Sequence, residues 1–214
     1  RRGLTECMLG KGAIVVEGLT EFNALPVVAR KMEEANEDLQ PLDIAGVALF
    51  DAESEGAMPK FGNFFRSLGL KTFGFYDLAA RSAQKKQELV DAYDIDCEHQ
   101  YAGFEALVVA EVPVDRQWSF LDDLRETGDC GNFVIPAARP ADDVVRGLVM
   151  SALKGHKGAG WAARLLEGCE VHELPATVTA FLAPIYEAFP KPVEVPAIPE
   201  PAEAVPVVAG GAPV

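Results

Sequence analysis

No apolar run in this sequence approaches the roughly 18 residues that suggest a membrane-spanning helix, so no membrane association is expected. The amino end, Arg1-Arg2-Gly3-Leu4-Thr5-Glu6, lacks the apolar core of a secretory signal. An initiator Met is missing too, as expected of a fragment or processed chain that has lost an upstream domain. Cysteine is sparse. Cys7, Cys97, Cys130 and Cys169 form no Cys-x-x-Cys pair, which favours reduced structural thiols of a cytoplasmic protein over a zinc site or disulfide frame. His99, His156 and His172 show no metal-ligand spacing, and His172-Glu173 is not followed by the second histidine of a zincin. Basic residues are also in short supply: 19 Lys and Arg face 33 Asp and Glu, for a net charge of −14. This argues against broad, non-specific nucleic-acid binding through a basic surface. It leaves room for a site built of carboxylates, which hard divalent cations require.

What is present is an ordinary globular composition, 49% hydrophobic and 24% charged over 214 residues, enough for one sizeable domain or two small ones. The most informative run is Ala13-Ile14-Val15-Val16-Glu17-Gly18-Leu19-Thr20-Glu21. Residues 13–17 read as a short buried strand that ends on a carboxylate. A glycine turn follows, and residues 20–35 read as a helix with Thr20 as its N-cap. Phe22, Leu25, Val28, Ala29 and Met32 repeat at helical spacing, and Pro26 is expected to distort the helix. An acidic loop spans 36–43. A second strand over 45–50 ends on Asp51, and the spacing of Phe61, Phe64, Phe65 and Leu68 predicts a helix over 59–68 with these on one face. A third strand over 71–76 ends on Asp77. Strands alternating with helices imply a parallel sheet, and ligands of such sheets bind at the carboxyl ends of the strands.

Residues 81–93 read as a helix carrying Arg81, Lys85 and Lys86, 95–101 as a short fourth strand, and 103–112 as a helix that opens near Glu105. Beyond about 114 the character changes to helical stretches near 115–127, 140–154, 158–167 and 175–188, with a strand expected only at Asn132 to Ile135. The tail from Pro190 holds seven of the fifteen prolines and reads as extended and disordered. The expected division is a metal-binding α/β core over 1–113, a mainly α-helical subdomain over 114–189 and the tail over 190–214.

Glu17, Asp51 and Asp77 end three successive strands, and Glu21 and Glu105 open helices. Five acids from five places could converge on one edge of the sheet. Two divalent ions about 3.5–4 Å apart can activate a water and stabilise the leaving oxygen in phosphodiester cleavage, and Mg²⁺ or Mn²⁺ takes oxygen ligands. Taken singly, each acid more often caps a helix or faces solvent; the coincidence of three strand-end acids with Glu21 is what favours a site. Glu53 and Glu55 read as solvated loop acids. A lysine among glycines, as in Lys154-Gly155-His156-Lys157-Gly158, can approach a phosphate as a point charge; an exposed turn is the other reading. For Arg81, Lys85 and Lys86, contact with a DNA backbone and a solvated helix face are equal readings.

The run Val15-Val16-Glu17-Gly18-Leu19-Thr20-Glu21 resembles the first motif of the Toprim domain of the OLD (overcoming lysogenization defect) family of nucleases. The resemblance continues through Leu25-Pro26, Gly46 to Ala52, Lys71 to Asp77, Tyr101 to Glu105 and Lys154 to Gly160, and so spans roughly residues 12–188. It implies a Toprim-like parallel sheet with flanking helices. It further implies a two-metal DNA endonuclease, with Glu17, Glu21, Asp51, Asp77 and Glu105 as metal ligands and Glu17, Glu21, Asp77 and Lys157 as catalytic residues. Lys157 matches a lysine that stabilises charge on the scissile phosphate, and the helical subdomain delivers it. Lys154, Arg81, Lys85 and Lys86 are candidate phosphate contacts. The family's Asp-x-Asp pattern is interrupted, since Asp77-Leu78 is followed by Ala79, which leaves Ser82 or Glu53 as auxiliary ligands.

Family members place an ABC-type ATPase ahead of this region. No nucleotide-binding Gly-x-x-x-x-Gly-Lys-Ser/Thr loop occurs here, so the ATPase is expected as an absent upstream partner. Other readings are a non-catalytic metal- and DNA-binding regulatory module, another Toprim phosphotransfer activity and a hydrolase of small phosphoesters. Tyr76, Tyr93, Tyr101 and Tyr186 stand in no motif that would serve a topoisomerase.

Overall fold

Short runs with β-branched or aromatic residues form the first three strands, β1 (Gly12–Val16), β2 (Val47–Asp51) and β3 (Lys71–Tyr76), and the more polar run Ile-Asp-Cys-Glu forms β4 (Ile95–Glu98). The structure, a computed structural model, describes residues 3–130, 133–157 and 160–192. All pairings are parallel and the strand order is β2-β1-β3-β4. Parallel neighbours need crossover connections, usually helical. Helix α1 (Leu4–Leu9) precedes β1. The long α2 (Leu19–Ala35) and short α3 (Leu42–Ala45) connect β1 to β2, α4 (Met58–Ser67) connects β2 to β3, and α5 (Ala83–Ala92) connects β3 to β4. Five helices follow: α6 (Phe104–Glu111), α7 (Val114–Thr127), α8 (Asp142–Gly155), α9 (Trp161–Glu167) and α10 (Ala176–Ala188).

Successive strand residues point to opposite faces, and here each face buries a different cluster. Ile14 and Val16 of β1, with Phe73 and Phe75 of β3, pack against α2, α6 and the helices after 113. Ala13 and Val15, with Phe50 and Tyr76, pack against α4 and α5. β1 is therefore buried over its whole length. Phe75 is fully buried, with the rings of Phe104 and Phe181 at 6.2 and 5.0 Å. Burying such a side chain contributes roughly 1.5–3 kcal/mol, and this one anchors α6 and α10 two residues before Asp77. On the opposite face Gly74 is a close-approach position. A Cβ there would stand 2.6 Å from the Tyr93 ring, which packs flat on the strand.

Most expected elements are present with ends shifted by a few residues. Thr20 is not the N-cap of α2: Gly18 is, with no side-chain bond, and the Thr20 hydroxyl is engaged elsewhere. Helix α2 runs unbroken through Pro26. The acidic loop gives way to α3 at Leu42. Phe64 and Leu68 are exposed while Phe65 is buried, so the α4 apolar face is narrower than its aromatic spacing implies. β4 stops at Glu98 rather than 101. Of the strand expected at Asn132 to Ile135, residues 133–135 are not a strand and Asn132 lies outside the described residues. So do Gly158 and Ala159, and helix α9 begins at Trp161. The expectation of a disordered tail falls almost wholly on 193–214, also outside the described residues. No described helix is long and apolar enough to cross a membrane.

Candidate metal and phosphate site

Register brings the first acids together. Val16 lies opposite Phe75 in the β1–β3 pairing, so Glu17 and Asp77 leave neighbouring strands at the same edge. Glu21 lies in the first turn of α2 and Glu105 in the first turn of α6, both buried. These four carboxylates, together with Thr20, Glu53 and Lys157, line one cavity of about 280 Å³.

Glu105 is the best supported of the four. Its Oε1 accepts the Thr20 hydroxyl at 2.9 Å, and its Oε2 lies 3.3 Å from Lys157 Nζ. Lys157 is 60% exposed, so its ammonium stands at the mouth of the cavity. Gly103 precedes α6 with φ of +117°, a conformation that favours glycine. A Cβ there would sit 3.4 Å from Glu105 Oε2 and 3.8 Å from Asp77 Oδ2, so these two oxygens face the same space.

Electrostatically the cluster is unbalanced. Burial pushes the Glu21 carboxyl up to about 8; its own backbone N–H opposes the shift, and Asp77, Glu105 and Glu17 add repulsion. Burial also raises Glu17, reinforced by Asp77 and Glu55 and opposed by the Asp77 backbone N–H and by Arg81. Desolvation and like charge both disfavour the ionised form. Glu17 Oε2 is buried without a hydrogen-bond partner. An orphaned carboxylate oxygen among acids fits a hard divalent cation. Among the described residues, however, no three acids, histidines or cysteines stand together at ligating separation.

Asp51 is buried at the end of β2 but is not among the residues lining the cavity. Its Oδ1 accepts the Glu53 backbone N–H at 2.8 Å and holds Glu53 at φ of +64°, the one non-glycine residue with positive φ among those described. Asp51 thus acts on the turn that brings Glu53 to the cavity. Ser82 does not reach the cavity either; its hydroxyl caps α5 by accepting the Lys85 backbone N–H at 3.3 Å.

Arg81 is the clearest departure from expectation. Its side chain is 1% exposed. Nε donates to Glu55 at 2.6 Å, Nη1 to Glu98, and Nη2 to the Asp77 carbonyl at 2.7 Å, while the guanidinium lies over the Tyr76 ring. With its donors spent internally, Arg81 is a staple of the β3–α5 turn and not a phosphate contact. Glu55, expected as a solvated loop acid, is its partner. Lys86 pairs with Glu98 at 3.4 Å and is half-exposed; Lys85 and Lys154 are exposed.

Two site residues escape the sequence reading. Thr20 looks like a helix cap. His99 carries no ligand spacing, yet its buried Nε2 lies 2.8 Å from Asp77 Oδ1. With the fourth strand expected to run to 101, no sequence signal marks it; only the end of β4 at Glu98 puts His99 at the strand-end position that Glu17 and Asp77 occupy on β1 and β3.

Residues 8–78 match the family described as overcoming lysogenization defect protein-like, TOPRIM domain. The matched segment contains Glu17, Glu21, Asp51 and Asp77 and stops short of His99, Glu105 and Lys157. The fold resembles the C-terminal region of the Burkholderia pseudomallei OLD protein, with a TM-score of 0.59 at 12% identity over 84% of this chain and 98% of that one. It also resembles the C-terminal region of the Xanthomonas campestris pv. campestris OLD protein, with a TM-score of 0.54 at 17% identity over 86% of this chain and 96% of that one. No curated protein matches the sequence.

Proposed function

We propose that this chain, whose residues 8–78 belong to the overcoming lysogenization defect protein-like Toprim family, is a metal-dependent DNA endonuclease. The observation that carries the reading is one cavity lined by Glu17, Glu21, Asp77 and Glu105 with Lys157 at its mouth. Carboxylates that can hold cations, a buried oxygen without a partner and one exposed ammonium suit a phosphodiester better than an apolar substrate.

Glu17, Glu21, Asp77 and Glu105 would hold the cations, Mg²⁺ or Mn²⁺, with Glu53 at the rim and Asp51 behind it. Two such ions, when bound, activate a water and stabilise the leaving oxygen. Thr20 holds one oxygen of Glu105 and so orients the carboxylate. Lys157 exchanges its contact with Glu105 for a phosphate oxygen, where a flexible ammonium acts as a point charge. Burial, with repulsion from Asp77, Glu105 and Glu17, raises the Glu21 carboxyl to about 8, and a bound cation would favour its ionised form, which couples occupancy of the site to its own ionisation. Four free cysteines suit a reducing compartment, the cytoplasm. Because the structural relatives are carboxyl-terminal regions of longer proteins, we read an ABC-type ATPase region of the same polypeptide as the partner that governs cleavage.

The test is cleavage of supercoiled plasmid by the purified chain with Mg²⁺ or Mn²⁺ and with EDTA. Cleavage is expected with either metal, none in EDTA and none for Glu17→Ala. Lys157→Ala should lose roughly 10²-fold, the scale for removing one charge-stabilising donor. Unchanged cleavage by Glu17→Ala, or none by the wild type with any divalent metal, would overturn the assignment. DNA binding without cleavage would favour a regulatory module.

A further inference from the structure

We propose that His99 is a positioning residue for Asp77, presenting its Nε2–H to Oδ1 so that Oδ2 is left to face the cavity. The inference rests on the reading of that cavity as a metal site.

Backbone geometry decides which ring nitrogen carries the proton. The Tyr101 backbone N–H donates to His99 Nδ1 at 3.3 Å. An amide can only donate, so Nδ1 must accept, and the proton of the neutral ring sits on Nε2. Nε2 lies 2.8 Å from Asp77 Oδ1 but off the line of an aligned hydrogen bond, and among the described residues neither atom has any other partner. Catalytic contacts are often loosely aligned before ligands bind. The imidazole cannot turn away. It is fully buried, with the rings of Phe75 and Tyr101 at 5.1 and 6.2 Å.

The surrounding backbone serves the same end. The His99 N–H donates to the Tyr76 carbonyl at 3.1 Å, and the Leu78 N–H donates to the Tyr101 carbonyl at 3.0 Å. Residues 99–101 thus bracket Asp77 on both sides, while Arg81 takes its carbonyl. His99 is not among the residues lining the cavity, so it acts from behind the acid. Asp77 Oδ2 lies on the other side, beside Gly103 and Glu105 Oε2. Such a partner fixes the orientation of a ligating group, and its removal typically costs 10–100-fold in metal affinity. The role bears on the interrupted acid pattern: with Ala79 offering no second carboxylate, a fixed orientation of Asp77 counts for more.

The test has two parts on the full chain. Long-range ¹⁵N–¹H correlation on the metal-free protein should show His99 as the Nε2–H tautomer; the Nδ1–H tautomer would overturn the proposal whatever the site binds. Mn²⁺ affinity, followed by electron paramagnetic resonance, should fall about 10–100-fold in His99→Leu. It should stay within a few-fold of wild type in His99→Gln, whose amide keeps a donor near Nε2. Melting in EDTA identifies a variant that has merely failed to fold; if His99→Leu is one, the tautomer measurement decides the proposal by itself. Wild-type affinity in a folded His99→Leu, or equal loss in both variants, would overturn the positioning role alone. No Mn²⁺ binding by the wild type would overturn the metal reading, and this inference with it.

Discussion

Thr20 and Glu105, 85 residues apart, meet at 2.9 Å through the threonine hydroxyl. The bond ties the first turn of α2 to the first turn of α6. It also explains why a residue that looks like a helix cap caps nothing: its oxygen is more valuable on a buried carboxylate.

Replacing Thr20 by Val keeps the shape and removes the donor. Glu105 Oε1 is then buried unpaired, which costs about 1–3 kcal/mol. Urea unfolding in EDTA should show a loss of this size, and the Mn²⁺ affinity should fall with it. An unchanged midpoint would mean that Glu105 finds another donor.

Stability of the metal-free protein should depend on pH through Glu21. Its carboxyl ordinarily titrates near 4.5 and is raised to about 8 in the fold. Between these values the folded state holds a proton that the unfolded chain has released, so stability falls as pH rises through that window. Glu17 is shifted in the same direction and adds to the slope. Urea midpoints in EDTA should therefore decline from pH 5 to pH 8, and Glu21→Gln should flatten the decline. Metal binding displaces the same proton, so stabilisation by Mn²⁺ should grow over the same interval. A wild-type midpoint that rises with pH would contradict the burial of Glu21.

Arg81 and the exposed lysines should separate cleanly. Arg81→Met leaves Glu55 and Glu98 facing each other and should cost about 3 kcal/mol, the low end for a broken buried pair because both acids are partly exposed. Lys85→Ala and Lys154→Ala should leave stability nearly unchanged. If either lysine touches a phosphate, the salt dependence of DNA binding should weaken by about one unit of slope. A steep loss of salt dependence in a stable Arg81→Met protein would reverse the assignment of Arg81 as a staple.

The turn at Glu53 offers a backbone test. Left-handed geometry costs a residue with a Cβ roughly 1 kcal/mol more than glycine. Glu53→Gly should thus be more stable than Glu53→Ala by about that amount in urea unfolding, while both lose the carboxylate equally. Equal stability would show that the turn does not hold its positive φ in solution.

Much of the sheet is legible along the chain because strand signals are local. Lys71–Tyr76 matches its expected bounds, and β1 and β2 differ by a residue or two, since short β-branched and aromatic runs bounded by acids and glycines read as strands wherever they pack. Glu17, Asp77 and Glu21 follow from those ends. Glu105 as a helix-opening acid and Lys157 as a lysine among glycines are legible too, their roles as ligand and charge stabiliser come from the family resemblance, and the fold brings both to the cavity.

The sequence by itself determines where strands end in acids, that carboxylates outnumber cations, and that Asp77 lacks a companion at position 79. Tertiary structure alone decides which partner each group takes. Asp51 turns to Glu53, Arg81 is consumed between Glu55 and Glu98, and His99 comes to rest behind Asp77. The reason is physical: periodicity and strand ends depend on near neighbours, whereas desolvation and hydrogen-bond pairing depend on groups that only the folded sheet brings within 3 Å.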